Sequence, residues 1–228
     1  MKNETMHPDV FASQLWKDIL PDERKYLLDC LGATRASYGK RSIIWSSGEP
    51  VTRFGIILSG EIRILMEDLE GRLNCLAYLH APELFGEVFA LAGTASPVTV
   101  FSEIGADVLF LDIQRVTAIC SKACGYHRQF VWNLLQQVAK KNAALSQKIQ
   151  CVGQRTTKDK IAAYLSMEQT RSGTNPFHIP FNRSEMADYL CVDRSALSLV
   201  LSQMHKDGLI TFHKNEFCLL HLHENRLA

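Results

Sequence analysis

The sequence predicts an α+β fold in three parts: an antiparallel sandwich or jelly roll, one long helix, and two short helices followed by a β-hairpin. Three observations support this prediction. Short apolar segments separated by Gly-bearing turns fill the first half, and a heptad pattern follows them. Near the C-terminus, two capped amphipathic segments are separated by only three residues. At 228 residues the chain suits two modest domains better than one.

The bulk composition restricts the possible partners. The formal net charge is only +1, and from residue 153 onward nine Lys and Arg stand against eight Asp and Glu. Any affinity for DNA must therefore come from local placement of positive groups. Seven scattered cysteines argue against a secreted disulfide scaffold, and residues 1–20 do not resemble a signal peptide. The apolar runs are far shorter than the ~20 residues that cross a membrane, so we expect a cytoplasmic protein without membrane association.

The first half of the chain is predicted to form one short helix and then mostly strands. The helix covers about Pro21–Cys30, because proline suits its first turn and Gly32 its end. Six strands rich in Ile, Leu, Val and Phe are expected: Ser42–Trp45, Gly55–Leu58, Ile62–Glu67, Asn74–Tyr78, Val98–Phe101 and Val108–Asp112. Turns are expected at Gly48–Pro50, Ser59–Gly60, Glu70–Gly71 and Ala92–Pro97. A helix over Gln114–Ser121 closes this unit.

A heptad pattern is the most quantitative signal. Its inward candidates are spaced 4, 3, 4, 3, 4 and 3 residues apart: Val131, Leu135, Val138, Asn142, Leu145, Ile149 and Val152. With Val131 at position d, the single polar member, Asn142, falls at position a, where a buried Asn favours a parallel pair in one register. A heptad seam is narrower than the face that a globular helix buries, so we favour a dimerisation helix over residues 126–153. A core helix buried within one domain is the alternative.

The segment from Asn182 to Gly208 predicts two short helices. Asn182 and Glu185 form a capping box for the first helix, and Asp193 can cap the second after the break Cys191–Asp193. The apolar faces consist of Met186, Ala187 and Leu190 in the first helix, and Leu197, Val200, Leu201 and Met204 in the second. The second helix shows Arg194, Ser195, Ser198 and Ser202 on its other face. This is the layout of a helix-turn-helix; an ordinary helical hairpin with solvated serines is the alternative.

The segments around these two helices complete the third part. Gly153 interrupts the long helix, and Thr156 or Thr157 can cap a new helix that continues through Leu165. A loop over Thr170–Pro180 precedes the helix-turn-helix, and a hairpin wing follows it, with strands Leu209–Phe212 and Phe217–Leu222 joined at His213–Asn215. We therefore predict domains at 1–125 and 154–228, joined by the dimerisation helix at 126–153.

This order of parts resembles the Crp/Fnr family of bacterial transcription regulators. Leu58–Ile62 resembles the turn between the family's fourth and fifth roll strands, and Leu84–Glu87 resembles the start of its phosphate-binding cassette. Arg194 resembles the first residue of its recognition helix. The resemblance covers roughly Ala33 to Leu222. It implies a cyclic-nucleotide-binding-like β-roll, a long dimerisation helix and a winged helix-turn-helix in a homodimer that binds palindromic double-stranded DNA. The sequence contains no Gly-rich phosphate loop, metal-protease helix or Ser-containing elbow, so an enzyme is not expected.

The resemblance also implies roles for individual residues at the DNA. Arg194 and Ser198 take base-contacting positions, and Ser195 stands where Glu is common. Leu199 replaces a second guanine-reading Arg; its methyl groups can pack on a thymine methyl, or it is a half-buried filler. Phosphate contacts that carry no base information are expected from Asn182, Arg183, Ser184, His213 and Asn215, and Lys206 and Lys214 add charge nearby.

The cassette departs from the family pattern in a way that bears on the ligand. In cyclic-nucleotide-binding members an Arg-Ser pair downstream of the Gly-Glu grips the cyclic phosphate, whereas Ser96–Thr99 contains no cation and Pro97 lacks a backbone donor. Cyclic AMP is therefore not expected to bind, and we expect a neutral or weakly anionic, partly apolar effector. The candidate pocket residues are Gly86, Glu87 and Thr99 from the roll and Lys141 and Ser146 from the long helix. A filled pocket that binds nothing is the alternative.

No metal or cofactor is expected. The first cysteine is Cys30, so the N-terminal cysteine cluster of Fnr-type members is absent, and Cys120 and Cys124 alone make no closed site. Haem ligation by Cys75 and His80, or cysteine redox sensing, defines the rival regulator. The surface at Thr170–Phe177 corresponds to one that activators in the family present to RNA polymerase, but its residues do not decide between activation and repression.

Overall fold

The computed structural model describes residues 11–68, 70–118 and 124–220. The chain divides into two compact units, Met1–Lys140 and Lys141–Ala228. The division falls inside a 28-residue helix, α4, which spans Gly125–Val152 and confirms the predicted long helix. Any role of Cys120 lies outside the described residues, as do residues 221 and 222 of the predicted last strand. The predicted helix Gln114–Ser121 is wrong at its end, because the helix there spans Ile113–Thr117 and Ala118 is extended.

The first unit is a roll of antiparallel strands with short helices at its ends. Its elements are α1 (Pro21–Cys30), β1 (Thr34–Tyr38), β2 (Ser42–Trp45), β3 (Arg53–Glu67), β4 (Leu73–His80), β5 (Leu84–Phe85), α2 (Glu87–Ala92), β6 (Thr99–Asp112) and α3 (Ile113–Thr117). The strand order is β1-β6-β3-β4, with β2 on the other half of β6 and β5 on β3. The predicted helix at Pro21–Cys30 and the predicted strand at Ser42–Trp45 are confirmed.

Two long strands replace four of the predicted short ones. The expected breaks at Ser59–Gly60 and between Phe101 and Val108 are wrong, because β3 and β6 stay paired through them with shifts of register. Gly60 has a φ of 84°, and a Cβ atom there would lie 2.0 Å from the carbonyl oxygen of Gly105. Glycine therefore bends the strand at a close backbone approach instead of ending it. β1, β5 and α2 were not predicted from the sequence.

The core of the roll includes part of the long helix. Phe130 and Leu134 of α4 are buried in the same cluster as Phe54, Ile56 and Phe110 of the strands. The neighbouring Asn133 is also buried, and its amide donates to the carbonyl oxygens of Leu15 (2.9 Å) and Lys17 (2.7 Å). These bonds satisfy a buried polar group and attach the segment before α1 to the helix.

The second unit contains three helices and a small sheet after the end of α4. Its elements are α5 (Thr157–Ser172), β7 (Phe177–His178), α6 (Arg183–Leu190), α7 (Arg194–Lys206), β8 (Ile210–His213) and β9 (Glu216–Leu219). Thr156 caps α5, and the two predicted helices and their three-residue break are confirmed. The loop predicted over Thr170–Pro180 is wrong at both ends. There, α5 continues to Ser172 and β7 pairs with β9, because Phe177 packs against Phe217.

The wing is a hairpin whose turn is one residue shorter than predicted. His213 belongs to β8 and faces Glu216 of β9, so the turn consists of Lys214 and Asn215 alone. With β7 the hairpin forms a three-stranded sheet in the order β7-β9-β8. Among the described residues, no helix has the length and apolar content needed to cross a membrane.

The close approach at Gly60 gives a stability test with a matched control. Gly60→Ala should destabilise the protein by the cost of a left-handed Ala plus the clash with Gly105, together about 2–5 kcal/mol. Gly48 has a similar φ, 87°, but nothing lies within 4 Å of its Cβ position. Gly48→Ala should therefore cost only about 1–2 kcal/mol in urea unfolding. Equal losses in the two variants would show that β3 and β6 do not approach closely at Gly60.

Candidate nucleic-acid interface

The first helix of the interface starts at a reciprocal cap. The Asn182 side-chain oxygen accepts hydrogen bonds from the backbone N–H groups of Ser184 (2.9 Å) and Glu185 (3.0 Å). The Glu185 carboxylate accepts from the Asn182 N–H at 2.8 Å, which confirms the predicted capping box. Met186, Ala187 and Leu190 are buried, as predicted. The side-chain oxygen of Asn182 is thus committed to α6, while Ser184 is exposed beside it.

The turn between the helices places a carboxylate at the start of α7. Cys191 adopts the left-handed conformation with a φ of 52° and ends α6. The Asp193 side chain then accepts from the backbone N–H groups of Ser195 (2.8 Å) and Ala196 (3.0 Å), and from the Ser195 hydroxyl. The Ser195 hydroxyl, followed by these two amides, holds the pKa of the Asp193 carboxyl below its usual value. The first turn of α7 therefore carries a stable negative charge.

The serine hydroxyl groups on the exposed face of α7 donate their protons in hydrogen bonds within the chain. Ser195 donates to Asp193, Ser198 donates to the carbonyl oxygen of Arg194 at 3.0 Å, and Ser202 donates to that of Ser198 at 2.9 Å. Their oxygens keep acceptor capacity for groups outside the chain. By contrast, the guanidinium of Arg194, at the first position of α7, forms no hydrogen bond or ion pair within the described part of the chain and is exposed.

Leu199 lies on this same exposed surface. It is 72% exposed, although Leu197, Leu201 and Met204 of the same helix are buried. The interpretation of Leu199 as a half-buried filler is therefore wrong: its side chain is available to an apolar group on a partner.

The wing provides the remaining candidates. His213 and Lys214 are exposed at its tip, and the carbonyl oxygen of Asn215 accepts from the N–H of Ile179 at 2.9 Å. Arg183, predicted as a phosphate contact, lies instead against the aromatic rings of the wing, and burial lowers its pKa. No signal in the linear sequence indicated this contact, because the two partners are about thirty residues apart.

An aromatic side chain, Trp45, lies directly against Gly86, one of the candidate effector residues of the roll. Gly86 has a φ of 79°, and a Cβ atom there would lie 2.3 Å from the ring of Trp45. The Trp45 ring also packs against Phe85, with 5.0 Å between the ring centroids. The Thr99 hydroxyl accepts from the N–H of Ser47 at 3.2 Å. Trp45 was predicted only as the end of a strand, and its contact with Gly86 was not predicted.

The remaining candidate effector residues belong to both units: Glu87 lies in the first unit, and Lys141 and Ser146 lie in the second. Glu87 is buried at the start of α2, and the buried Ser96 hydroxyl donates to the carbonyl oxygen of Val98 at 2.8 Å. Lys141 and Ser146 lie on α4 within the second unit, and Ser146 donates to the side-chain oxygen of Asn142 at 3.3 Å. In residues 11–68, 70–118 and 124–220, no three His, Cys, Asp or Glu side chains come together as a metal site.

Comparisons with known proteins agree with this geometry. Residues 35–123 match the cyclic nucleotide-binding domain family, and residues 159–227 match the Crp-like helix-turn-helix domain family. No curated protein matches the sequence significantly.

Solved structures share the fold at low sequence identity. A CprK protein in complex with OCPA is 13% identical, with 90% of this chain and 92% of that chain covered, at a TM-score of 0.58. A putative cyclic nucleotide binding protein from Ruegeria pomeroyi DSS-3 is 16% identical, with coverages of 96% and 94%, at 0.51. The N-terminal domain of a Streptomyces coelicolor A3(2) transcriptional regulator is 15% identical, with coverages of 60% and 96%, at 0.51.

A roll of the cyclic-nucleotide-binding type, a long helix and a winged helix-turn-helix define a DNA-binding transcription regulator. The chain belongs to the Crp/Fnr family, as the motifs of its sequence predicted.

Proposed function

We propose that this regulator acts as a homodimer on palindromic double-stranded DNA in the cytoplasm and responds to a small effector other than cyclic AMP. The observation that carries the DNA-binding part is the exposed face of α7, where the Arg194 guanidinium is uncommitted while the neighbouring hydroxyl protons are bound within the chain. A contact with RNA polymerase through the surface at residues 170–177 remains a prediction.

In this proposal α7 lies in the major groove. Arg194 donates two hydrogen bonds to guanine O6 and N7, a contact worth about 1–3 kcal/mol of discrimination. Ser195 and Ser198 act as acceptors, because their protons are used internally. Exposed Leu199 packs on a thymine methyl group where many family members would read a second guanine. Asn182, Ser184, His213 and Asn215 contact or position phosphates.

The exposed face of α4 supports the proposed dimer. Leu135, Leu145 and Ile149 of the heptad seam are 52%, 59% and 58% exposed, although α4 buries Phe130 and Leu134 completely or nearly so. Regularly spaced apolar side chains left in water favour a partner surface. A second copy of the same helix fits because the seam is continuous from Val131 to Val152 and carries one polar position, Asn142. The two reading helices would then meet half-sites about 34 Å apart.

The effector part rests on the cassette. A cyclic phosphate would find no cation in Ser96–Thr99, and Pro97 offers no backbone donor. Trp45 fills the space beside Gly86 with an indole ring whose N–H has no partner within the described residues. An apolar ligand with one acceptor suits such a wall better than an anion does.

The role of Arg194 can be tested on a duplex obtained by binding-site selection. Arg194→Ala should weaken binding to that duplex about 10- to 100-fold, while salt-sensitive binding to a scrambled duplex changes little. The control is Lys206→Ala on the same helix, which should weaken binding to both duplexes alike. An unchanged ratio of the two affinities in Arg194→Ala would contradict base reading by this residue.

The role of Asn142 can be tested by analytical ultracentrifugation. Asn142→Leu should strengthen self-association and allow oligomers other than the dimer, because the polar residue that specifies the register is lost. Gln136→Leu adds the same side chain at an exposed position outside the seam and should leave the stoichiometry unchanged. If the two variants sediment alike, α4 does not dimerise through this seam.

The effector proposal can be tested by thermal denaturation of the full chain. Micromolar cyclic AMP should leave the Tm unchanged, because Ser96–Thr99 offers no cation to its phosphate. A ligand that does bind would add about 2.7 kcal/mol of stability at 100 times its Kd, and the Tm would rise. A neutral, partly apolar effector should raise the Tm and alter the fluorescence of Trp45, and Trp45→Phe should remove that component of the signal. Stabilisation by micromolar cyclic AMP would overturn this part of the proposal.

A further inference from the structure

The turn of the wing is held in place by two hydrogen bonds from outside the hairpin. Arg183, the first residue of α6, donates from Nη2 to the carbonyl oxygen of Lys214 at 2.8 Å. Ile179 donates from its backbone N–H to the carbonyl oxygen of Asn215 at 2.9 Å. Lys214 has a φ of 53°, a conformation uncommon for a residue other than glycine. Both carbonyls of the two-residue turn are therefore tied to the rest of the second unit.

Arg183 is itself enclosed by the wing. Its guanidinium carbon lies 5.0 Å from the ring centroid of Phe212 and 5.1 Å from that of Phe217. The two rings stack on each other, with centroids 5.5 Å apart and planes at 27°. Nη1 is fully buried and has no hydrogen-bond partner within the described residues, and burial lowers the pKa of the group. The aromatic faces and one carbonyl take the place of water around this charge.

The other cation of this region is in the opposite situation. Lys214 is exposed at the tip of the wing, and its ammonium group forms no hydrogen bond or ion pair among the described residues. A DNA phosphate can reach this ammonium without desolvating a buried group. For Arg183 to reach a phosphate, it would have to leave two aromatic rings and release the turn.

We propose that Arg183 is a positioning residue that presents Lys214 to a DNA phosphate and does not itself contact DNA. This inference rests on the proposed binding of α7 in the major groove and replaces the phosphate-contact role that the sequence suggested for Arg183. The guanidinium connects the first residue of α6 to the tip of the wing, so the helix-turn-helix and the wing are held as one rigid reading surface.

A double-mutant cycle on the selected duplex tests this coupling. The variants are Arg183→Met, Lys214→Met and the double variant, and the measured quantity is the dependence of Kd on salt concentration. Lys214→Met should lower the slope of log K against log salt by about 0.9 for each half-site. Arg183→Met should cause a similar loss although Lys214 is present, and the double variant should bind within about twofold of Arg183→Met. Slope losses that add in the double variant would overturn the proposal.

Replacement by lysine separates the two roles further. Arg183→Lys keeps the charge, so it would preserve most of the affinity and salt slope if Arg183 were a phosphate contact. If Arg183 is a positioning residue, Arg183→Lys should restore little of the affinity or salt slope, because one ammonium group cannot cover both rings and hold the turn. Full rescue of the salt slope by Arg183→Lys would overturn the proposal.

Amide hydrogen exchange of the DNA-free protein provides a second readout. The Ile179 amide, which donates to Asn215, should exchange faster in Arg183→Met and at the wild-type rate in Lys214→Met. Equal rates in the two variants would contradict the positioning role. If the wild-type protein selected no duplex at all, the proposed DNA function would fail, while the exchange experiment would still decide whether Arg183 holds the wing.

Discussion

The rest of the structure depends on one helix, α4, which contributes side chains to the hydrophobic cores of both units. Over 28 residues α4 buries Phe130 and Leu134 in the core of the roll and Cys151 in the core of the second unit. A helix can do this because residues four apart share a face. Val131 and Val138 of the heptad seam are partly buried against the core of the roll, whereas Leu135, Leu145 and Ile149 are exposed. In the proposed dimer, pairing of two copies would remove these side chains from water and bring two copies of α7 to one DNA site.

The proposed DNA-contacting surface of the second unit carries little net charge. The second half of the chain is almost neutral, and several of its polar groups serve the fold: Asp193 and Asn182 cap helices and Arg183 holds the wing. Arg194 and Lys214 are among the exposed cations that have no partner in the described region. Exposed Leu199 adds an apolar contact, so we expect the preferred site to contain fewer guanines than sites read by two arginines.

The roll keeps the backbone of a ligand-binding domain while its chemistry differs. Gly86 retains the left-handed conformation with which the cassette turns into α2. The indole of Trp45 packs on that glycine, and Ser96 uses its hydroxyl within its own turn. A phosphate site needs donors directed at one point, and these residues direct theirs into the fold. These contacts support the proposal that any effector of this roll is not a cyclic nucleotide.

The sequence by itself determined the elements whose signals are local. The N-caps and apolar spacing of α6 and α7, the helix at Pro21–Cys30 and the long helix could be predicted because hydrogen bonds and side-chain contacts within a few residues specify them. The tertiary structure alone decided the rest. Pairing between distant strands carried β3 and β6 through segments that contain turn residues, and it created β7 in a predicted loop. Rings about thirty residues away turned Arg183 inward, and Trp45 came to lie on Gly86. Such contacts produce no periodic pattern in the sequence, because their free energy comes from burial between segments that only the folded chain brings together.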